Sequence, residues 1–263
     1  FVFGTQLDET TRKTFLTAVP SHVMKSSSYM ISKYETTFGE WIEYLNSLSP
    51  QERIKKSGVI LKGSLAGAIG LKQLPDGLWQ LSLQPQLAQF VVKEGDIISY
   101  IGRARNEKQD WRQMPATGMD KNDTQDYLNW LVTHKKLRGA RLCSETEWER
   151  AARGADEREY PNGNEIDGSE ANIDETYGKD ASTTGPDEVG RHPETRSPFG
   201  VDDMAGNAFE WVTSAMGPDE PQVRSGGFAN GQMTSRSTNR TVLAAGFRDP
   251  GVGFRICADA PLE

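Results

Sequence analysis

The chain has 263 residues, a net charge of −7 and a pI near 5.2. This acidic balance argues against a surface that tracks nucleic-acid phosphates, and no run approaches the roughly 20 apolar residues that span a bilayer, so neither nucleic acid nor membrane insertion is expected. Hydrophobic residues at 36% and 26 glycines, above the ordinary share of about 7%, fit a loop-rich globular protein long enough to bury a sizeable core.

The chain opens Phe1-Val2-Phe3-Gly4, without an initiator Met or a charged-then-apolar leader, and is expected to be a piece of a longer or processed protein. Residues 28–36 alternate apolar and polar and predict a strand. Thr37 then precedes Phe38, Trp41, Ile42 and Leu45 at helical spacing. With Glu40 three residues on, Thr37 completes a capping box. Residues 51–65 read as charged helix or loop. Short β-like runs follow at 69–72, 79–83 and 97–101, the first two joined by a Pro75-Asp76-Gly77 turn that marks a hairpin. At only about 45 residues, near the size where isolated cores fail, the stretch 60–105 reads as a β insertion in one domain covering 1–263.

A helix is next expected through Tyr127, Trp130 and Leu131, ending near His134-Lys135-Lys136, cations that suit a helix C-terminus. Another spans 145–153, with Ser144 and Glu147 as a second capping box and Trp148, Ala151 and Ala152 on its inner face. Glu145, Glu147 and Glu149 alternate and are expected on different faces, so they offer no acid/base pair. Residues 163–198, rich in Gly, Asp, Asn, Ser and Thr, predict a long loop of the kind that is functional or pinned in place. His22, His134 and His192 lie in unrelated contexts and are expected at the surface or in turns. Two cysteines, Cys143 and Cys257, are too few for a disulfide framework. Buried free thiols in a reducing compartment are the expected state, with a bridge left open because both residues feed the core.

The densest signal is Asp-Met-Ala-Gly-Asn-Ala-Phe-Glu-Trp at 203–211. Asp203 and Glu210 bracket a Gly-Asn-Ala turn. A hard cation wants about six to eight oxygens, mixing carboxylates with carbonyls, and Gly206 and Asn207 allow the bend that would aim carbonyls inward. A metal-free turn between an Asp cap and a buried Trp211 is the alternative reading of the same residues.

Taken with Arg-Leu-Cys-Ser-Glu-Thr-Glu-Trp-Glu at 141–149, Val-Arg-Ser-Gly-Gly-Phe at 223–228 and Gly-Phe-Arg at 253–255, this motif resembles the formylglycine-generating-enzyme (sulfatase-modifying-factor) family. Its usual motifs are Arg-Leu-Pro-Thr-Glu-x-Glu-Trp-Glu, Gly-Asn-x-x-Glu-Trp, Arg-Gly-Gly-Ser-Trp and Gly-Phe-Arg. The resemblance implies an irregular, loop-rich α+β fold of the C-type-lectin-like kind, its core held through Trp148, Trp211, Phe228 and Phe254. It also implies two structural calcium sites, one using Asp203, Gly206, Ala208 and Glu210, the other Asn172, Ile173 and Asp180, chosen over Asp174 and Asp187. The family's oxidases bind copper through two cysteines five residues apart, soft ligands for copper(I). Those positions hold Thr238 and Leu243 here. A related branch takes three iron-binding histidines from an added helical domain that this chain lacks. Neither copper nor iron is therefore expected, and no catalytic residue is assigned.

The resulting expectation is a non-catalytic binding module for a protein or small ligand. Its face would be residues 229–252, where Asn230, Gln232, Thr234, Arg236, Thr238, Asn239, Arg240, Phe247 and Arg248 are expected exposed. Similar domains are appended to bacterial serine/threonine kinases or serve as variable products of diversity-generating retroelements. A bacterial, cytoplasmic setting goes with the free-thiol reading. A metal-dependent oxidoreductase with an altered active site, of the formylglycine-generating or sulfoxide-synthase type, is the alternative.

Overall fold

The computed structural model describes residues 1–13, 17–57, 61–62, 67–214 and 220–261. An N-terminal arm pairs β1 (Val2–Phe3) with β2 (His22–Val23) around a single helical turn, α1 (Glu9–Thr11). The strand predicted for 28–36 is shorter, β3 (Tyr29–Ile31). Past it the backbone turns to other partners. Thr36 donates its N–H to the Phe254 carbonyl at 2.9 Å and accepts from the Ala116 N–H at 2.8 Å.

Helix α2 (Phe38–Ser47) carries both halves of the Thr37–Glu40 capping box and buries Phe38, Trp41, Ile42, Tyr44 and Leu45 on one face. A second helix, α3 (Pro50–Ser57), precedes the insertion. There β4 (Leu61–Lys62), β5 (Ala68–Gln73), β6 (Trp79–Gln84) and β7 (Phe90–Lys93) form an antiparallel sheet in chain order, followed by the β8 (Ile98–Ser99) and β9 (Lys108–Gln109) pair. The 75–77 turn closes the β5–β6 hairpin, with Gln73 opposite Trp79. Of the run 97–101, only Ile98 and Tyr100 face inward; Ile97 and Ile101 are exposed.

The capped helices α4 (Lys121–His134) and α5 (Glu145–Arg153) flank β10 (Arg141–Leu142). Residues 163–198 contain no α-helix or strand, only one 3-10 turn at Pro193–Thr195. The C-terminal third supplies β11 (Phe209–Val212), β12 (Gln222–Arg224), β13 (Thr241–Val242), β14 (Val252–Phe254) and β15 (Ile256–Asp259). These make a sheet ordered β13-β12-β11-β14, with β11 and β14 parallel, and a smaller antiparallel one ordered β10-β15-β3.

One apolar core joins the insertion to the rest. Trp79, Leu81, Leu83, Ile98 and Tyr100 pack in the same cluster as Trp41, Tyr127, Trp211 and Phe254. Within it, Trp41 and Tyr127 lie 5.6 Å apart between ring centroids, and Tyr127 and Phe254 lie 5.5 Å apart. Trp79 also donates its indole N–H to the Asn46 side chain of α2 at 3.0 Å, so the one polar atom of this buried ring is satisfied.

The free-thiol expectation is overturned: Cys143 and Cys257 form a disulfide across 114 residues. Pairing of Leu142 with Ile256 and Arg141 with Cys257 brings the two Cα atoms within 4.8 Å, inside the bridgeable range. Trp148, Met204 and Val212 bury the bridge in a second apolar cluster.

Candidate functional site

The 203–211 motif is a buried junction. Asp203, Gly206 and Asn207 all adopt positive φ, at 59°, 85° and 62°. Gly206 has a steric requirement as well, since a Cβ there would stand 2.3 Å from the Asn172 carbonyl oxygen. That carbonyl accepts the Asn207 N–H at 2.8 Å. The Asn207 amide uses its full capacity: Oδ1 accepts from the Asn172 amide and the Asp187 N–H, each at 3.0 Å, while Nδ2 donates to Glu35 at 2.8 Å and to the Asp187 carbonyl at 3.4 Å. One side chain thus ties together the 172 loop, the 187 loop and the segment after β3.

Charge is paired inside this junction. Glu210 accepts two hydrogen bonds from Arg255, both at 2.6 Å, and a third from the Trp148 indole at 2.6 Å. Arg255 spends further donors on the Asp202 and Ser32 carbonyls. Among the described residues, Glu35 and Asp203 have no arginine in ion-pair contact. Burial drives the Glu35 carboxyl well above its usual range, with the charges of Asp203 and Glu210 adding to the effect. Burial likewise raises Asp203 to about 6, although its carboxylate accepts the Gly190 N–H at 2.6 Å.

These donors do not fit the two expected calcium sites. Both oxygens of Glu210 are occupied by a guanidinium and an indole, and the Gly206 carbonyl accepts from the Ser225 hydroxyl. Ala208 meets Glu35 through its N–H. In the other set, the Ile173 carbonyl accepts the Thr176 N–H, and Asp180 is exposed with its carboxylate capping Ser182. Asn172 Oδ1, by contrast, is buried without a partner. Among the described residues no group of three or more His, Cys, Asp or Glu side chains is arranged to hold a metal.

A second buried hub escaped the sequence reading. Asp187 gathers Arg103, His192, Gln109 and Tyr177, and His192 Nε2 lies 2.7 Å from its carboxylate. Burial pushes Asp187 upward, but His192 and Arg103 outweigh it and hold the carboxyl below its ordinary value. His192, expected at the surface or in a turn, is instead a buried partner of Asp187; it is 2% exposed, whereas His22 and His134 are exposed. The three glutamates of α5 also differ from expectation. Glu145 and Glu149, four residues apart on one helix face, are both buried toward Arg224, while Glu147 caps the helix and pairs with Arg141. Acid/base chemistry is not suggested, because each carboxylate already faces a guanidinium.

Along 229–252 the expected face is only partly realised. Gln232 is exposed, and Asn230, Thr234, Arg236, Arg240, Phe247 and Arg248 are half-buried. Thr238 and Asn239 are buried, at 1% and 3%. Asn239 turns inward because its amide donates to the Thr234 carbonyl at 2.6 Å. Three of the arginines are tied down: Arg236 to Glu159, Arg240 to Glu145, and Arg248 to Asp120 and Asp123. The open surface consists of Gln232, Met233, Val242 and residues 244–246. Arg248 also borders a cleft of about 270 Å³ lined by Phe38, Trp41, Lys55, Lys56, Ile69 and Met119. At the two positions where a copper site would need thiolates, Thr238 is buried and Leu243 is packed against the core.

Comparison with known proteins agrees with this architecture. Over 106 residues the chain is 36% identical to the serine/threonine-protein kinase pkn1 of Chlamydia caviae, and over 118 residues 36% identical to Pkn1 of Chlamydia trachomatis. These matches cover 40% and 41% of this chain but only 14% and 16% of the kinases. Among solved structures, PvdO from Pseudomonas aeruginosa is 25% identical with a TM-score of 0.65, over 99% of this chain and 91% of its own. The Treponema denticola variable protein 1 is similar in fold, with 14% identity and a TM-score of 0.52, over 73% of this chain and 99% of its own. CarF, at 16% identity and a TM-score of 0.59, covers 91% of this chain and 89% of its own. The model of the sulfatase-modifying factor enzyme 1-like domain matches residues 1–260. With that match running across nearly its whole length, the chain belongs to the family of sulfatase-modifying factor enzyme 1-like domains.

Proposed function

We propose that this chain is a non-catalytic binding module, with its contact surface on the 229–252 segment. The observation that carries this reading is the state of the charged groups. Glu210, Asp187, Glu145 and Glu149 all face arginines inside the fold, so the side chains best suited to chemistry are committed to holding loops. Gln232, Met233 and Val242 stand exposed on backbone that is mostly loop, the kind of surface that tolerates change without disturbing a core. The similarity to a Treponema variable protein supports a surface open to diversification, and the kinase relatives support a sensor domain appended to a serine/threonine kinase.

A photo-crosslinking amino acid placed at position 233 or 242, with position 132 on α4 as the control, tests the surface in cells of the source organism. The expected result is crosslinking at 233 and 242 that excess unlabelled domain suppresses, with none at 132. Equal labelling at all three positions defeats the proposal. Oxygen uptake by copper-loaded protein with a thiol peptide would favour the oxidoreductase instead.

A further inference from the structure

We propose that the buried guanidinium groups of Arg103 and Arg255 are the permanent internal cations of the 172–210 loops, so that this chain holds its long loop region without calcium. Arg103 is delivered by the β insertion, and its side chain is fully buried. Its Nε donates to the Thr183 carbonyl at 2.6 Å, Nη2 to the Gly185 carbonyl at 3.0 Å, and Nη1 to the Asp187 carboxylate at 2.5 Å. Tyr100 and Tyr177 enclose its planar head, with ring centroids 3.5 and 3.8 Å from the guanidinium carbon. Carbonyls plus a carboxylate drawn from one loop are the donor types a calcium ion would collect. Here an arginine collects them through directed N–H donors.

Arg103 also shares a partner with Asn172, a residue of the expected calcium set. The Gly185 carbonyl that it binds accepts the Asn172 amide too, at 3.0 Å. Of the expected calcium set here, Asn172 Oδ1 is buried without a partner, but the Ile173 carbonyl is already bonded to the Thr176 N–H and Asp180 is exposed, so the set falls far short of the six to eight oxygens that calcium takes. At the other end of the loop, Arg255 neutralises Glu210 and binds the Asp202 carbonyl beside Asp203. A divalent ion added there would meet a fixed positive charge and a carboxylate with no free oxygen. A covalently attached cation differs from a bound ion in one measurable way: its contribution does not depend on free ion concentration. The insertion gains a purpose from this, since it carries one of the two cations into the fold.

The test uses the intact chain, purified without added metal. Calcium content is measured, and thermal midpoints are recorded in excess EGTA and in excess calcium chloride. Less than stoichiometric calcium and coincident midpoints are expected; calcium that survives dialysis, or a fall in midpoint with EGTA, overturns the proposal. Arg103→Gln should lower the midpoint by the same amount in both buffers, with Arg103→Lys recovering only part of the loss. An Arg103→Gln protein as stable as the parent also overturns it. Should that variant fail to fold, the chelator comparison on the unmodified chain still decides.

Discussion

Arg255 and Glu210 form a fully buried, doubly hydrogen-bonded ion pair, 2.6 Å at each contact, that joins the 203–211 motif to the Gly-Phe-Arg motif at 253–255. The pair joins β11 to the residue between β14 and β15, and Trp148 of α5 closes the third side. Removing one partner strands a buried charge, which costs about 3–5 kcal/mol. Glu210→Leu and Arg255→Met should each lower unfolding free energy by that order in urea titrations, and the double variant should lose less than the sum. Additive losses would mean the two residues act independently.

The Asp203 carboxyl is raised to about 6 from an ordinary value near 3.8 because it is buried. A carboxyl held above its unfolded value binds its proton more tightly in the native state. Its stabilising contribution is therefore complete below about 4 and is lost as pH rises through about 6, on the order of 3 kcal/mol. Asp203→Asn keeps an acceptor for the Gly190 N–H and tolerates the positive φ. Its stability relative to the parent should climb between those pH values, as measured by urea midpoints from pH 4 to 8. A pH-independent difference would show that Asp203 does not titrate in this window.

Closing a loop of 114 residues, the Cys143–Cys257 bridge restricts the unfolded chain strongly. Chain-entropy estimates for a loop of about 100 residues approach 5 kcal/mol. Replacing both cysteines with serine is expected to remove about 3–5 kcal/mol. Mass spectrometry after alkylation without reductant should find no free thiol in the parent, and a labelled thiol there would contradict the bridge.

Gly206 and Gly77 separate backbone strain from steric exclusion. Both have positive φ, 85° and 90°, but a Cβ at 77 meets nothing within 4 Å while one at 206 collides with the Asn172 carbonyl. Gly77→Ala should cost about 1 kcal/mol, the left-handed penalty alone. Gly206→Ala should cost more than that and loosen the 172 loop, read by hydrogen exchange at Asn207, whose N–H is bonded to the same carbonyl.

Leu81 is fully buried where the insertion meets the main core. Leu81→Ala is expected to cost about 2–5 kcal/mol and to shift one cooperative transition seen by every probe. Two separated transitions, with only the first displaced, would place the insertion in its own folding unit.

Local patterns were legible along the chain because their causes are local. Thr37 with Glu40 and Ser144 with Glu147 announce helix starts through bonds three residues long, and both capping boxes form. Trp41, Ile42 and Leu45 share a helix face for the same short-range reason, and the 75–77 turn closes its hairpin. The C-terminal face was harder to read, since Thr238 and Asn239 are polar residues whose burial rests on backbone carbonyls that no spacing rule reveals.

What the residue order carried unaided was therefore the helix caps, the amphipathic faces and the motif series that marks the family. Tertiary contact settled the rest: the bridge between Cys143 and Cys257, the burial of His192 against Asp187, and the seat of Arg103 among carbonyls about 80 residues away. Each depends on strand register and loop closure, which bring distant charges into one low-dielectric space. Whether an aspartate there meets a metal, a histidine or a guanidinium is set by whichever positive group the fold delivers to it.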